Sequence, residues 1–98
     1  MTMRNATRLK RSGYSFHENG GVWIKYADKE TVMLVVDVHK DKTAMLIINE
    51  RDKLDGYNSV TSHCTVKLAI AAGEAYLAAR AAEQKAAAQR AADWKAAM

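Results

Sequence analysis

The sequence predicts an α+β fold, an antiparallel four- to five-stranded β-meander with one long C-terminal α-helix that packs across one face and projects beyond it. Two observations carry this prediction. Alternating apolar residues interrupted by turn dipeptides extend to about residue 62, whereas the last third of the chain is rich in alanine and has no proline. The 98 residues predict a single domain, made of a flexible basic arm (1–12), the meander (13–62) and the helix (65–97).

The first predicted hairpin surrounds Asn19-Gly20, a dipeptide that suits the positive φ angles of a tight β-turn. A two-residue loop places Phe16 opposite Trp23 and Tyr14 opposite Lys25. The aromatic side chains then share one face, and the other face carries Val22, Ile24 and Tyr26. We expect the aromatic face to be core in so small a protein, although an exposed one could stack on nucleic-acid bases.

Two β-branched runs, 32–38 and 44–50, predict the central strands, because both faces of each run are apolar in mid-strand. A short loop around Asp41 sets Val36 opposite Leu46, so that apolar side chains meet on one face. The opposite face holds Met33, Val35, Met45 and Ile47. The sequence does not decide which face of the sheet meets the helix. The predicted core consists of Val22, Ile24, Val32, Leu34, Val36, Leu46, Ile48, Ile70 and Leu77.

Residues 51–59 predict a loop with a turn at Asp55-Gly56, and the charged group Glu50-Arg51-Asp52 is interpreted as solvated. Residues 60–66 predict a short edge strand, in which Ser62 or Thr65 could also cap a helix, and the helix is expected from about Thr65.

One apolar stripe defines the docked side of the predicted helix. Val66, Ile70, Gly73 and Leu77 recur at helical spacing, and Gly73 is expected to let the helix approach another backbone closely. A helix of about 30 residues is about 45 Å long, whereas strands of this size span about 20 to 27 Å. The second half of the helix is therefore expected to project.

The projecting half continues the stripe as a seam of small residues that ends in an aromatic. Such a seam suits contact with a second copy or with a partner protein, and the alternative is a solvated helix end that frays. Trp94 favours contact, because an aromatic side chain on a bare helix usually has something to cover. The predicted seam consists of Gln84, Ala88, Arg90, Ala91 and Trp94.

Positive charge is concentrated at the N-terminus, although the net charge is only +4. Four cations precede the first acid, Glu18. Such a patch suits phosphate groups or electrostatic steering towards a partner. The residues predicted to make this contact are Arg4, Arg8, Lys10, Arg11 and Lys25.

No reactive constellation is present, so we expect neither an enzyme nor a metal or cofactor site. The sequence has no CxxC, HxxxH or HExxH pattern, and His63 and Cys64 are adjacent, which directs their side chains apart. One cysteine predicts a reducing, cytoplasmic setting. The N-terminus has no apolar signal region, and the longest aliphatic run, 32–36, is too short to span a membrane.

The remaining prediction is a protein-binding module that forms a homodimer. In its size and lack of reactive groups the chain resembles the small accessory proteins of bacteriophages and mobile elements. That likeness implies an inhibitor or adaptor that blocks a bacterial host or defence protein by covering its surface. The alternative is a nucleic-acid-binding protein that uses the basic arm and the aromatic face.

Overall fold

A computed structural model describes residues 3–51 and 57–97, which form one five-stranded antiparallel sheet and two helices. The strand order is β1-β2-β3-β4-β5, so each strand pairs with its neighbours in the sequence, and the predicted α+β meander with a long C-terminal helix is confirmed. The elements are α1 (Met3–Arg11), β1 (Ser15–His17), β2 (Val22–Ala27), β3 (Val32–Val38), β4 (Ala44–Glu50), β5 (Tyr57–His63) and α2 (Val66–Ala97).

Strand register follows the apolar alternation of the sequence. Phe16 pairs with Trp23 across the first hairpin, as predicted. The positive φ angle of the turn belongs to Gly21 (63°), so the prediction that Asn19 and Gly20 adopt positive φ angles is wrong. Val36 pairs with Leu46, which confirms the predicted register of the central hairpin. A shift of one residue would turn the apolar set of β3 or β4 to the opposite face, and burial of that set therefore fixes the pairing.

One face of the sheet, the covered face, packs against α2 and contains the core. Trp23 pairs with Val36 on this face, so its neighbours Val22 and Ile24 point to the other side of the sheet. The prediction that Val22 and Ile24 belong to the core is therefore wrong. The buried cluster consists of Leu9, Tyr14, Trp23, Val32, Leu34, Val36, Ala44, Leu46, Ile48, Val66, Ala69 and Ile70.

The docked half of α2 matches the predicted stripe. The Leu68 amide donates to Thr65 Oγ1 over 3.1 Å, so Thr65, one of the two candidate caps, is the residue that caps the helix. Val66, Ile70 and Gly73 are buried. A Cβ added at Gly73 would lie 3.0 Å from the Tyr14 hydroxyl oxygen, so the close approach is to a side chain and not, as predicted, to another backbone.

The N-terminal residues form the helix α1 where the sequence predicted a flexible arm. The Gly13 amide donates to the Lys10 carbonyl, and the Tyr14 amide donates to the Leu9 carbonyl over 3.0 Å. With Gly13 at φ +92°, these bonds form a Schellman motif, which satisfies the last carbonyl groups of the helix. Leu9 and Tyr14 both belong to the buried cluster, so α1 is fixed to the core at its C-terminal end.

The last strand begins earlier than predicted. β5 starts at Tyr57, inside the segment 51–59 that the sequence predicted as a loop. The predicted turn at Asp55-Gly56 and the predicted solvated residue Asp52 lie outside the described residues. Glu50, which was also interpreted as solvated, is instead buried at the end of β4, where only 7% of its surface is exposed.

Candidate functional site

The face of the sheet opposite α2, called the open face below, is apolar across four strands. Ile24 pairs with Val35, Val35 pairs with Ile47, and Ile47 pairs with Val60, so these four side chains form a continuous row from β2 to β5. Within the described residues, both helices contribute their buried side chains to the core on the covered face. The open face therefore presents a row of apolar side chains that resembles half of a protein core, in which Val35 is only 7% exposed and Val60 is the most exposed.

Few charges interrupt the open face. Because side chains alternate along a strand, Asp37 lies on the open face, and it is the one Asp, Glu, Lys or Arg that the described strands place there. His17 lies on the same face in the edge strand β1. Val60 is 56% exposed, and Ile24 and Ile47 are half-buried by their neighbours in the sheet. The other apolar residues on this face are Val22, Tyr26, Met33 and Met45.

The predicted aromatic face is core and not a surface for stacking bases. Tyr14 and Trp23 are each 4% exposed, and burial, followed by the charge of Glu74, raises the pKa of Tyr14 to about 12. Phe16 is 49% exposed and lies against Trp23, with 5.2 Å between ring centroids and a tilt of 57°. One exposed ring that leans on its neighbour does not form the multi-base platform that the alternative prediction required.

Side chains in the middle of α2 hydrogen-bond to the β2–β3 turn, and the group formed by Arg80, Gln84, Asp28 and Glu50 is called the clamp below. Arg80 Nε donates to Asp28 Oδ2 over 3.0 Å, and Gln84 Nε2 donates to the same oxygen over 2.7 Å. The Gln84 hydrogen bond, and then that of Arg80, hold the pKa of Asp28 below its ordinary value of 3.8. The hydrogen bonds of ionised Asp28 therefore stabilise the folded protein above pH 3.8, and this contribution to the free energy of unfolding is lost as the pH falls through the lowered pKa.

The clamp also contains a buried carboxylate. The Tyr76 hydroxyl donates to Glu50 Oε1, and Arg80 Nη1 lies 3.6 Å from Glu50 Oε2. Burial and then the Glu50 contact raise the pKa of Tyr76 to about 12. Asp28, Lys29 and Glu30 all have positive φ angles of 55° to 69°, so the turn that α2 holds is strained.

The predicted seam divides at the clamp. Gln84 contacts its own domain through Asp28, whereas Ala88 and Ala91 are exposed beyond it. Arg90 pairs with Glu83 on the same helix over 3.1 Å. Trp94 is 70% exposed near the end of α2. The structure thus places Ala88, Ala91 and Trp94 on a projecting helix end, called the tail below (residues 85–97).

Cations from three elements gather around α1 and the start of α2. Two clefts of about 350 and 420 Å³ flank the helix and share Arg4 and Arg8 in their lining. Of the other predicted cations, Lys10 is exposed outside both linings, and Lys25 donates from Nζ to the Ser12 carbonyl over 2.8 Å. The set that lines the clefts, called the basic strip below, consists of Arg4, Arg8, Arg11, Lys42 and Lys67.

The part of the chain that the structure describes contains neither a group of metal ligands nor a helix that could span a membrane. Among residues 3–51 and 57–97, no three His, Cys, Asp or Glu side chains are grouped so that they could hold a metal ion. In the same part of the chain, neither helix combines the length and apolar character needed to cross a bilayer. Cys64 is exposed as a free thiol.

Comparison of the chain with known proteins gives no relative. No protein-family model, no curated protein and no solved structure matches it.

The sequence predicts part of the open face and part of the basic strip. The second apolar face of the central strands is the open face, and the residues that the sequence places on it are Met33, Val35, Met45 and Ile47. Lys42 and Lys67 were missed, because they lie far in sequence from α1 and only the fold brings them to it. The Ser12-Gly13 pair after a basic turn is a helix-stop signal that could have indicated α1.

Proposed function

We propose that the protein is a non-enzymatic, homodimeric protein-binding module, in which two copies pack through the open face and the tails contact a target protein. Following the likeness in size and lack of reactive groups, the proposed target is a bacterial host or defence protein, which the module blocks by covering its surface. The observation that carries the proposal is the open face, since a contiguous apolar patch of several hundred Å² is often an interaction site.

The size and chemistry of the open face support a second copy as its partner. Four strands about 20 Å long and the shorter β1, all about 4.8 Å apart, present roughly 430 Å². Two such faces in contact remove about 900 Å² from water, which is close to the lower limit for a specific interface. Interfaces between identical subunits are also the more apolar class, and the open face carries Asp37 as its one acid.

The tail supports the target contact. It extends beyond the last contact of α2 with the β2–β3 turn, at Gln84, and it carries an exposed tryptophan. Tryptophan is enriched among the few side chains that dominate binding energy at interfaces. In a dimer that packs through the open faces, α2 lies on the outside of each sheet, which leaves both tails accessible.

The first test is the oligomeric state of the purified protein by light scattering during gel filtration. We expect twice the chain mass of 10.8 kDa for the natural sequence. Ile47→Glu places a charge in the middle of the apolar row and should give a folded monomer, because an unpaired carboxylate is costly in a dry interface. Leu68→Glu alters an exposed leucine of α2 and should remain dimeric.

Two results would contradict this assignment of the interface. A monomeric natural protein at about 100 µM, a concentration well above the Kd of a stable dimer, would remove the open face as a dimer contact. A chain cut after Gln84 that is monomeric, while Ile47→Glu stays dimeric, would move the contact to the tail. Far-ultraviolet circular dichroism of each variant separates loss of the dimer from loss of the fold.

The second test concerns the tail. The tagged protein is used to capture partners from nuclease-treated bacterial lysate, and the captured protein is then purified and titrated directly. Trp94→Ala should weaken its binding at least tenfold, in line with the loss of an interface hot spot. Gln89→Ala, on the other side of the tail, should bind normally. Equal binding by Trp94→Ala and Gln89→Ala would exclude the tail as the target contact.

A further inference from the structure

The basic strip is a surface that the proposed protein-binding function leaves unused. We propose that it binds the phosphate backbone of double-stranded nucleic acid without reading the base sequence. The inference does not depend on the proposed function, because the strip lies around α1 and the start of α2, whereas the open face is on the opposite side of the sheet.

The spacing of the cations suits a row of phosphates. Arg4, Arg8 and Arg11 recur at i, i+4 and i+7, which places them on one face of α1. They span about 10 Å along the helix axis, a length in which one strand of a duplex presents about three phosphates. Lys42 and Lys67 add two charges from the β3–β4 turn and from the first turn of α2.

The acids near the strip do not neutralise it. α1 contains no acidic residue, and the first turn of α2 contains none either. Within the described residues, the cations of the strip form no ion pair with a carboxylate. Asp41, the neighbour of Lys42, accepts hydrogen bonds from the hydroxyl and the amide of Thr43 and forms no ion pair with Lys42.

The residues between the cations are of the kinds that contact phosphate. Besides the five cations, the two clefts are lined by short hydroxyl and amide side chains, which commonly donate to phosphate oxygens, and by Val66. No aromatic side chain lines either cleft, so the strip lacks the stacking surface that single strands require. The uncharged polar residues are Asn5, Thr7, Ser12 and Thr65, of which Ser12 donates its hydroxyl hydrogen to the Arg8 carbonyl over 3.0 Å.

The test measures binding of the full chain to a short fluorescent DNA duplex by anisotropy, from about 50 to about 200 mM salt. Five phosphate contacts predict a slope of about −4.5 in a plot of log K against log salt concentration. Arg4→Ala with Arg8→Ala should reduce the slope to about −2.7 and weaken binding at least tenfold at the lowest salt. Alanine favours helix, so α1 should persist in this variant.

The matched control removes two charges elsewhere. Lys85→Ala with Lys95→Ala changes the net charge equally on the tail and should leave the slope unchanged. An equal loss in both double variants would overturn the site, since binding would then follow net charge alone. Absence of duplex binding at the lowest salt, or tighter binding to a single strand of the same length, would also overturn it.

Two further measurements distinguish duplex binding by the basic strip from binding of a free anion and from an effect of dimerisation. Inorganic phosphate that displaces the duplex more strongly than chloride of equal ionic strength would identify a site for a free anion and overturn the nucleic-acid assignment. Ile47→Glu should bind the duplex with the same slope per chain as the natural protein. This variant distinguishes failure of the strip from failure of the dimer, because it alters the open face alone.

Discussion

Leu9→Ala is expected to destabilise the protein by about 3 kcal/mol, although the residue lies in a segment that the sequence predicted to be flexible. Leu9 is 0% exposed and belongs to the core cluster. Truncation removes its packing and leaves a cavity in the core. It also removes the leucine that precedes the Schellman turn, so α1 loses the apolar contact that usually accompanies this motif. Urea unfolding followed by circular dichroism measures the loss.

Leu68→Ala is the matched control for this prediction. Leu68 is 51% exposed on α2, so its truncation should cost well under 1 kcal/mol, and alanine suits a helix slightly better. If Leu9→Ala and Leu68→Ala have equal effects within about 0.5 kcal/mol, α1 is not docked on the core. The basic strip would then lose the framework that brings Arg4 and Arg8 to Lys67.

Local pattern was sufficient to predict the sheet. Asn19-Gly20 lies in the first turn, and the apolar alternation of β3 and β4, together with the short loop between them, favours the register in which Val36 meets Leu46. The long helix and its docked stripe followed from alanine content and from spacing. These features depend on contacts between residues that are close in sequence or that share one strict period.

The features that the sequence did not reveal depend on which surfaces meet in three dimensions. Both faces of β3 and β4 are apolar, so alternation alone could not show that α2 covers the face of Leu34 and leaves the face of Val35 open. The strip is similar, because Lys42 and Lys67 join α1 only through the fold. A single leucine among basic residues also carries too little periodicity to indicate a docked helix.

Arg80→Ala is expected to destabilise the protein by about 3 kcal/mol, because it removes one partner of a buried ion pair. The Arg80 side chain is 14% exposed and lies between Glu50 and Asp28. Its loss takes the Arg80 charge away from the buried Glu50 carboxylate and releases one of the two side chains that hold the strained β2–β3 turn. Chemical denaturation measures the effect.

Arg90→Ala is the matched control on the same helix. Arg90 pairs with Glu83, but these side chains are 66% and 72% exposed, and such pairs contribute little because water screens them. Its truncation should cost less than about 0.5 kcal/mol. Adding Glu50→Gln to Arg80→Ala should recover at least half of the lost stability, since the charge of the buried Glu50 side chain is then removed together with that of Arg80. No recovery in the double variant would mean that Arg80 acts through Asp28 and the turn, and that the charge of Glu50 is tolerated where it lies.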